Sequence, residues 1–222
     1  MSVVRGACLL LIALLIGFAI LRWGPWIRVD GVRVRGVHHL SSQYVSQLTR
    51  IVLGANMLRL DLRGVRDLTI RDPWVADAQV KRDFLSRVVT IEIREREPVG
   101  RVQLEGGRTV WIDAEGVVLG PAQEAVLGGV RASRGRVTSE VAAAAAALEA
   151  WDEVLLDGFS SFDASDPDCV VAHGVSMPTV LCGPIGELPS ALATLGQLSR
   201  VKDLSDYREV DLRWGSEVIL KP

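Results

Sequence analysis

The sequence predicts an α+β protein in three parts: an N-terminal transmembrane helix, a small β-α-α-β-β module, and a mixed β-rich domain with two helices. Three observations predict it. A charge-free run, "ACLLLIALLIGFAIL", extends from Ala7 to Leu21. Two short helical stripes between Ser41 and Asp72 are followed by segments that alternate apolar and polar side chains, the period of a half-buried strand. Beyond Pro98, short alternating segments recur between turn residues and are interrupted by one Ala-rich and one Leu-rich helical stretch. A chain of 222 residues with a hydrophobic fraction of 49% has room for one or two folded cores.

The apolar run is short for its task. Fifteen residues at a rise of 1.5 Å reach about 22 Å, against a hydrocarbon core of about 30 Å. Arg5 and Arg22 are therefore expected to snorkel, with Trp23 and Trp26 at the interface. A cleaved signal peptide is the rival reading, but no Ala-x-Ala-like site follows the run and Arg-Trp-Gly-Pro-Trp is a poor cleavage region. We read an uncleaved anchor at 7–23 behind a cytoplasmic tail at 1–6. Charge is uneven: residues 1–101 carry 16 basic against 9 acidic side chains, residues 102–222 carry 9 against 18. Basic and aromatic residues do not cluster as nucleic-acid binding requires, so nucleic acid is set aside as a partner. Arg22, Arg28, Arg33 and Arg35 follow the run, and the positive-inside rule alone would place the large domain in the cytoplasm.

In "IRVDGVRVRGV" the apolar phase slips between Val29 and Val32, which a bulge at Gly31 would absorb. "LSSQYVSQLTRIVLG" reads as an amphipathic helix capped by Ser41 or Ser42, with Tyr44, Val45, Leu48, Ile51 and Val52 on its stripe and Gly54 as stop. "LRGVRDLTIRDP" gives a second helix through Leu62, Val65 and Leu68, closed before Pro73. The next strand is expected to turn Trp74, Ala76, Ala78 and Val80 inward, and the one after it Val89, Ile91 and Ile93. Further on, "TVWIDAEGVVL" reads as a strand, "TSEVAAAAAALEAWDEVLL" as a helix opening at Thr138, and "ELPSALATLGQLSRVKD" as a helix turning Leu188, Leu192, Leu195 and Leu198 to a core. "GPAQEAVLGGVRASRG" reads as a mobile loop. From Trp214 the alternation of Trp214, Ser216, Val218 and Leu220 marks a last strand.

"DPWVADAQVKRDFLSRVVTIEIREREPVG", followed by "VWIDAEGVVLG" and closing in "VDLRWGSEVILKP", resembles the bacterial cell-division family FtsQ/DivIB over nearly the whole chain. Leu85, Gly100 and "EAVLGG" depart from the family pattern at positions read as turns. The resemblance implies a POTRA domain at 27–97, a C-terminal β domain at 98–222, and a single-pass protein of the inner membrane at the division septum, with its N-terminus cytoplasmic and its domains periplasmic. It implies a non-catalytic scaffold that recruits and regulates other septal proteins, single-span partners of the FtsB/DivIC and FtsL type. It also implies that such a partner adds a strand at the terminal edge, with Arg213, Trp214, Ser216 and Val218 as contacts.

Candidates for chemistry are thin. His38-His39 sits at a strand-to-helix turn, where neighbouring side chains diverge; Asp163, Asp166 and Asp168 lack the glycine and glutamate of a calcium loop; His173 stands alone in a strand. The sequence shows no phosphate loop and no nucleophile elbow, so no enzyme, metal, cofactor or small-molecule substrate is expected. A membrane-anchored peptidoglycan-processing hydrolase and a POTRA-type assembly factor for outer-membrane proteins are the alternatives. A hairpin symmetric about Val175-Ser176 would pair His173 with Pro178 and set Cys169 opposite Cys182, where a disulfide is conceivable in an oxidising space. Cys8 lies in the apolar run.

Overall fold

The computed structural model describes residues 2–23, 27–214 and 217–222, and the chain divides into two units, Met1–Arg96 and Glu97–Pro222. Helix α1 (Ser2–Trp23) opens the first unit and leaves Leu9, Leu10, Leu11, Ile12, Leu14, Leu15, Ile16 and Phe18 exposed. Among the described residues no helix is long and apolar enough to cross a membrane. The expected transmembrane segment at 7–23 falls within α1, and over the described residues it does not meet that measure. The side chains of Arg5, Arg22, Trp23 and Trp26 lie outside the described residues.

The β-α-α-β-β order is borne out: β1 (Gly31–Arg35), α2 (Ser42–Val52), α3 (Leu62–Thr69), β2 (Val75–Asp83) and β3 (Val88–Glu95). The sheet order is β1-β3-β2, with β3 parallel to β1 and antiparallel to β2. Ser41 caps α2 by accepting from the Tyr44 N–H, Asp61 caps α3 through the Arg63 N–H, and Gly54 takes a φ of +77° where α2 has ended. Val89, Ile91 and Ile93 are buried with Leu48, Val52 and Val65 in one core, as their spacing predicts.

Three local readings need correction. The phase slip near Gly31 is not a bulge inside one strand: β1 begins at Gly31, and the preceding Arg28 bridges Asn56 after α2 while Val29 is buried. On α3 the buried positions are Val65 and Thr69, and Leu68 is exposed; Thr69 is tolerated inside because its hydroxyl donates to the Val65 carbonyl. In β2 the register shifts between Val75 and Asp77, so Val75 is the residue fully buried in the core, while Trp74 is half-buried, packs against that core and stacks on His39.

The second unit is built on one sheet of order β12-β11-β10-β9-β8-β7-β4-β5-β6: β4 (Pro98–Leu104), β5 (Thr109–Asp113), β6 (Val118–Pro121), β7 (Leu127–Val130), β8 (Phe159–Asp163), β9 (Val170–Gly174), β10 (Thr179–Gly183), β11 (Glu209–Trp214) and β12 (Glu217–Lys221). The expected single strand over Thr109–Leu119 is a hairpin, turned at Gly116 with a φ of +74°. The expected mobile loop contains β7, which runs parallel to β4 on one side and β8 on the other and joins the two halves of the sheet. Leu127 and Val130 are fully buried, while a Cβ on Gly129 would run into Ser165 Oγ. At Gly129, one of the glycines that made the segment read as loop, neighbouring side chains occupy the space a side chain would need. Gly100 likewise lies inside β4 and not in a turn: a Cβ there would meet Ala145 at 2.7 Å, so glycine lets a helix lie directly on the strand.

That helix is α4 (Ser139–Glu149), capped by Thr138; α6 (Leu188–Val201) buries Leu188, Leu192 and Leu195. The single Ala-rich helix expected through Leu156 is interrupted. Trp151 turns in against Phe159 and Phe162, and Asp152 caps a separate short helix, α5 (Glu153–Leu156), by accepting from the Val154 and Leu155 N–H groups.

Candidate functional site

The terminal segment is a hairpin, not one strand. Trp214 ends β11 and pairs with Glu217 at the start of β12; Val210 pairs with Leu220 and Asp211 with Ile219. Arg213 and Trp214 therefore lie on β11 and Val218 on β12, while Ser216 lies outside the described residues. The alternation could not reveal the reversal, because Gly215-Ser216 between two strands of matched phase reads like a continuation.

Val218 and Leu220 pack against the core of the second unit, leaving Glu217, Ile219 and Lys221 exposed. Trp214 is 62% exposed, so it does not close the unit's own core. Strand β12 is the outermost strand, paired among the described residues to β11 alone. Its flank therefore offers backbone donors and acceptors beside an exposed indole. Of the charges that could guard this edge, Lys221 is held by Glu209 at 2.5 Å and Glu217 is exposed.

Behind the indole is a residue the sequence reading did not single out. Asp211 is 3% exposed and takes the Arg213 guanidinium in a two-pronged bond, Nε to Oδ1 at 2.9 Å and Nη2 to Oδ2 at 2.7 Å, with the Arg213 N–H adding 3.1 Å to Oδ1. The Arg213 bonds pull the Asp211 carboxyl down to about 2 against the cost of its burial, aided by a bond from the Trp214 side chain. The "DLR" spacing could have signalled this, since an acid and a base two apart share one face of a strand. The two charges of the pair are engaged with each other, which leaves the backbone edge of β12 and the exposed surface of the Trp214 indole for contacts.

The two cysteines are both free. The expected register is off by one: Val180 pairs with Ala172 and Leu181 with Val171, then a shift pairs Gly183 with Val170. Cys182 falls at that shift and Cys169 precedes β9, so the two are not opposite each other in the ladder. Cys182 is buried, and burial pushes its thiol up to about 12.

In the first unit, His38-His39 forms a polar bend organised by Glu95. The buried carboxylate accepts from the backbone N–H groups of His38, His39 and Leu40 at 2.9, 2.8 and 3.1 Å, and the His39 ring lies 3.1 Å from it and 4.9 Å from the Trp74 ring. Burial pushes the Glu95 carboxyl up, but the three backbone donors and His39 outweigh it, and the net direction is down. Among the described residues no group of three or more His, Cys, Asp or Glu side chains could hold a metal ion.

Residues 27–96 match the domain family described as "POTRA domain, FtsQ-type". A protein named Cell division protein FtsQ from Corynebacterium glutamicum is 27% identical over 170 residues, covering 74% of each chain. Proteins of the same name from Geotalea daltonii and Allochromatium vinosum are 28% identical over 126 residues and 29% over 118, covering 55% and 52% of this chain but 45% and 46% of their own. This chain thus spans less than half of the latter two. The first similarity is longer than either structural unit and so extends into both. These comparisons support a role in cell division. Residues 27–96 are a POTRA domain of the FtsQ type, and the resemblance of the chain to the FtsQ/DivIB cell-division family is borne out on both sides of that domain's boundary.

Proposed function

We propose that this protein is a non-catalytic division scaffold of the inner membrane, which gathers single-span partners of the FtsB/DivIC and FtsL type through its extracytoplasmic domains. Helix α1 is its short anchor, the tail at 1–6 is cytoplasmic, and the POTRA and β domains (27–97 and 98–222) lie outside the cytoplasm at the septum. Arg28, Arg33 and Arg35 count against that orientation only if they are free loop charges, and Arg33 and Arg35 belong to a folded strand. A phosphatase fused after Pro222 is active under this topology; an inactive phosphatase with a fluorescent cytoplasmic reporter at the same place overturns it.

The observation that carries the binding role is the flank of β12 that no described strand pairs, next to an exposed Trp214. An extended partner segment adds a strand there: main-chain bonds supply affinity, and Arg213, Trp214, Ser216 and Val218 supply the selective contacts. The test is capture of partners by the tagged full chain from detergent-solubilised membranes. Trp214→Glu weakens capture by about thirtyfold, the ~2 kcal/mol of a central aromatic contact, and Val218→Pro removes a backbone donor of the same strand. If both variants keep their circular dichroism and still capture partners at the original level, the edge is not the binding site.

A further inference from the structure

We propose that the helix-free face of the POTRA sheet rests on anionic phospholipid headgroups of the bilayer that holds α1, an inference that rests on reading α1 as an anchor. Val32 and Val34 of β1 pack on the core of this unit, as do Val89, Ile91 and Ile93 of β3. Strand alternation therefore turns Arg33, Arg35 and Arg94 to the opposite face, away from α2 and α3. The register sets Arg33 beside Thr90 and Lys81 in one row, and Arg35 beside Glu92 and Gln79 in the next.

The acids of this face are already engaged. Glu92 is held by Lys81 at 2.6 Å, Asp77 by Arg66 at 2.9 Å, and Asp83 accepts from Ser86 and Leu85 in the turn at the far end of β2. Arg33, Arg35 and Arg94 are exposed and make no salt bridge with a described residue; Arg94 lies opposite Asp77 and Arg35 beside Glu92 and each helps to hold that carboxyl down, while Arg33 has no acid in its row, so basic side chains outnumber acidic ones along β1 and the end of β3. Guanidinium forks match phosphodiester oxygens in geometry and charge. Chain length selects the source of phosphate. From Trp23 at the end of α1 to Gly31 at the start of β1 is eight residues, which fully extended reach about 28 Å. That reach is about three Debye lengths at physiological salt and about one at 0.01 M, so the tether keeps the strand near the headgroups and their potential acts on these guanidinium groups most strongly at low salt.

Phenylglyoxal, which modifies accessible guanidinium groups, tests this on the full chain in vesicles of phosphatidylcholine alone or with phosphatidylglycerol, with mass spectrometry reading each arginine. Arg33, Arg35 and Arg94 react about fivefold more slowly in the anionic vesicles, the protection disappears at high salt, and Arg134 and Arg200 of the other unit react alike in both lipids. A chain carrying Arg33→Gln with Arg35→Gln loses the lipid dependence at Arg94. Equal rates in both lipids, in a chain that floats with both kinds of vesicle, overturn the proposal and leave these arginines as guards of the β1 edge. A chain that floats with neither overturns the anchor instead, and protection by anionic vesicles added from outside then decides the face on its own.

Discussion

Each unit buries a carboxylate on a strand, and the two are put to different use. Glu95 at the end of β3 spends its oxygens on three backbone N–H groups of the bend at His38–Leu40. Asp211 on β11 spends most of its oxygens on one side chain, the Arg213 guanidinium. The first acid is part of the fold, since among the described residues it is the acceptor of all three donors of the bend. The second aims a surface group next to an open edge. Burial alone does not say whether a charged residue serves stability or binding; its donors do.

Removing the carboxylates separates the two roles. Glu95→Ala strands three donors in the bend and lowers the unfolding free energy of the POTRA unit by about 3 kcal/mol, while Glu95→Gln, which keeps one acceptor oxygen, costs about half of that. Denaturant unfolding followed by near-ultraviolet signals of Trp74 reads both; an unchanged midpoint in the alanine variant would show that the bend does not depend on Glu95. The pH dependence has a definite sign. The folded carboxyl lies below its ordinary value, so its contribution is complete above the unfolded value of about 4.3 and is lost as pH falls through the folded one.

The next largest effect belongs to the second unit and tests the middle of its sheet. Gly129→Ala places a methyl group where Ser165 and Asp163 side-chain oxygens stand and asks an alanine to hold a φ of +71°. The expected loss is about 2 kcal/mol of stability in this unit, with no change in the unfolding of the POTRA unit. Gly135, also at positive φ but with open space around it, loses less on the same replacement. Equal losses at the two glycines would mean that backbone strain alone, and not the close approach of β8, makes Gly129 necessary.

These glycines also mark where the sequence stops being legible. The β-α-α-β-β order, the Ser41 cap, the inward face of β3 and the Leu stripe of α6 follow from period and capping chemistry, which are local. The strand at Leu127–Val130 is not local: two glycines in four residues carry no strand propensity, and only β4 and β8, remote in sequence, make that segment a strand. The same holds at the candidate site. Arg213 and Trp214 came from the family resemblance, but the pairing of β11 with β12 places them on the inner strand of a hairpin, and the Asp211 clamp needs the fold to exclude water around it. The bulge in β2 and the shift in β10 were hidden for a related reason, since one extra residue changes which side chains face inward without changing the residue types.

Asp211→Asn tests the binding side of the comparison. It removes one charge-assisted bond and costs about 1 kcal/mol or less in stability, because Arg213 is partly solvated. Its larger effect is on partner capture, as Arg213 is no longer fixed beside Trp214. Because Arg213 draws the folded Asp211 carboxyl down to about 2, the clamp is intact above pH about 4 and opens only as pH falls toward the folded value. Capture that is unchanged in the asparagine variant would separate Arg213 from the binding role and leave Trp214 with the edge.

The smallest expected effect concerns the thiols. Cys169 and Cys182 flank the β9–β10 hairpin, yet the observed register leaves Cys182 at a shift and Cys169 outside the ladder. Exchange chemistry needs a thiolate, and burial holds the Cys182 thiol near 12, so almost none of it is ionised at neutral pH. Both thiols are therefore expected to stay free in an oxidising space, and Cys182→Ala should lower stability by about 1 kcal/mol or less, as for a small packed side chain. Alkylation of the native chain should mark the half-buried Cys169 well before Cys182, with Cys182 reacting only on unfolding. Intact mass with and without reductant checks this directly. A native mass lighter by two hydrogens would show that the bond forms, and that the hairpin reaches a register other than the one pairing Val180 with Ala172.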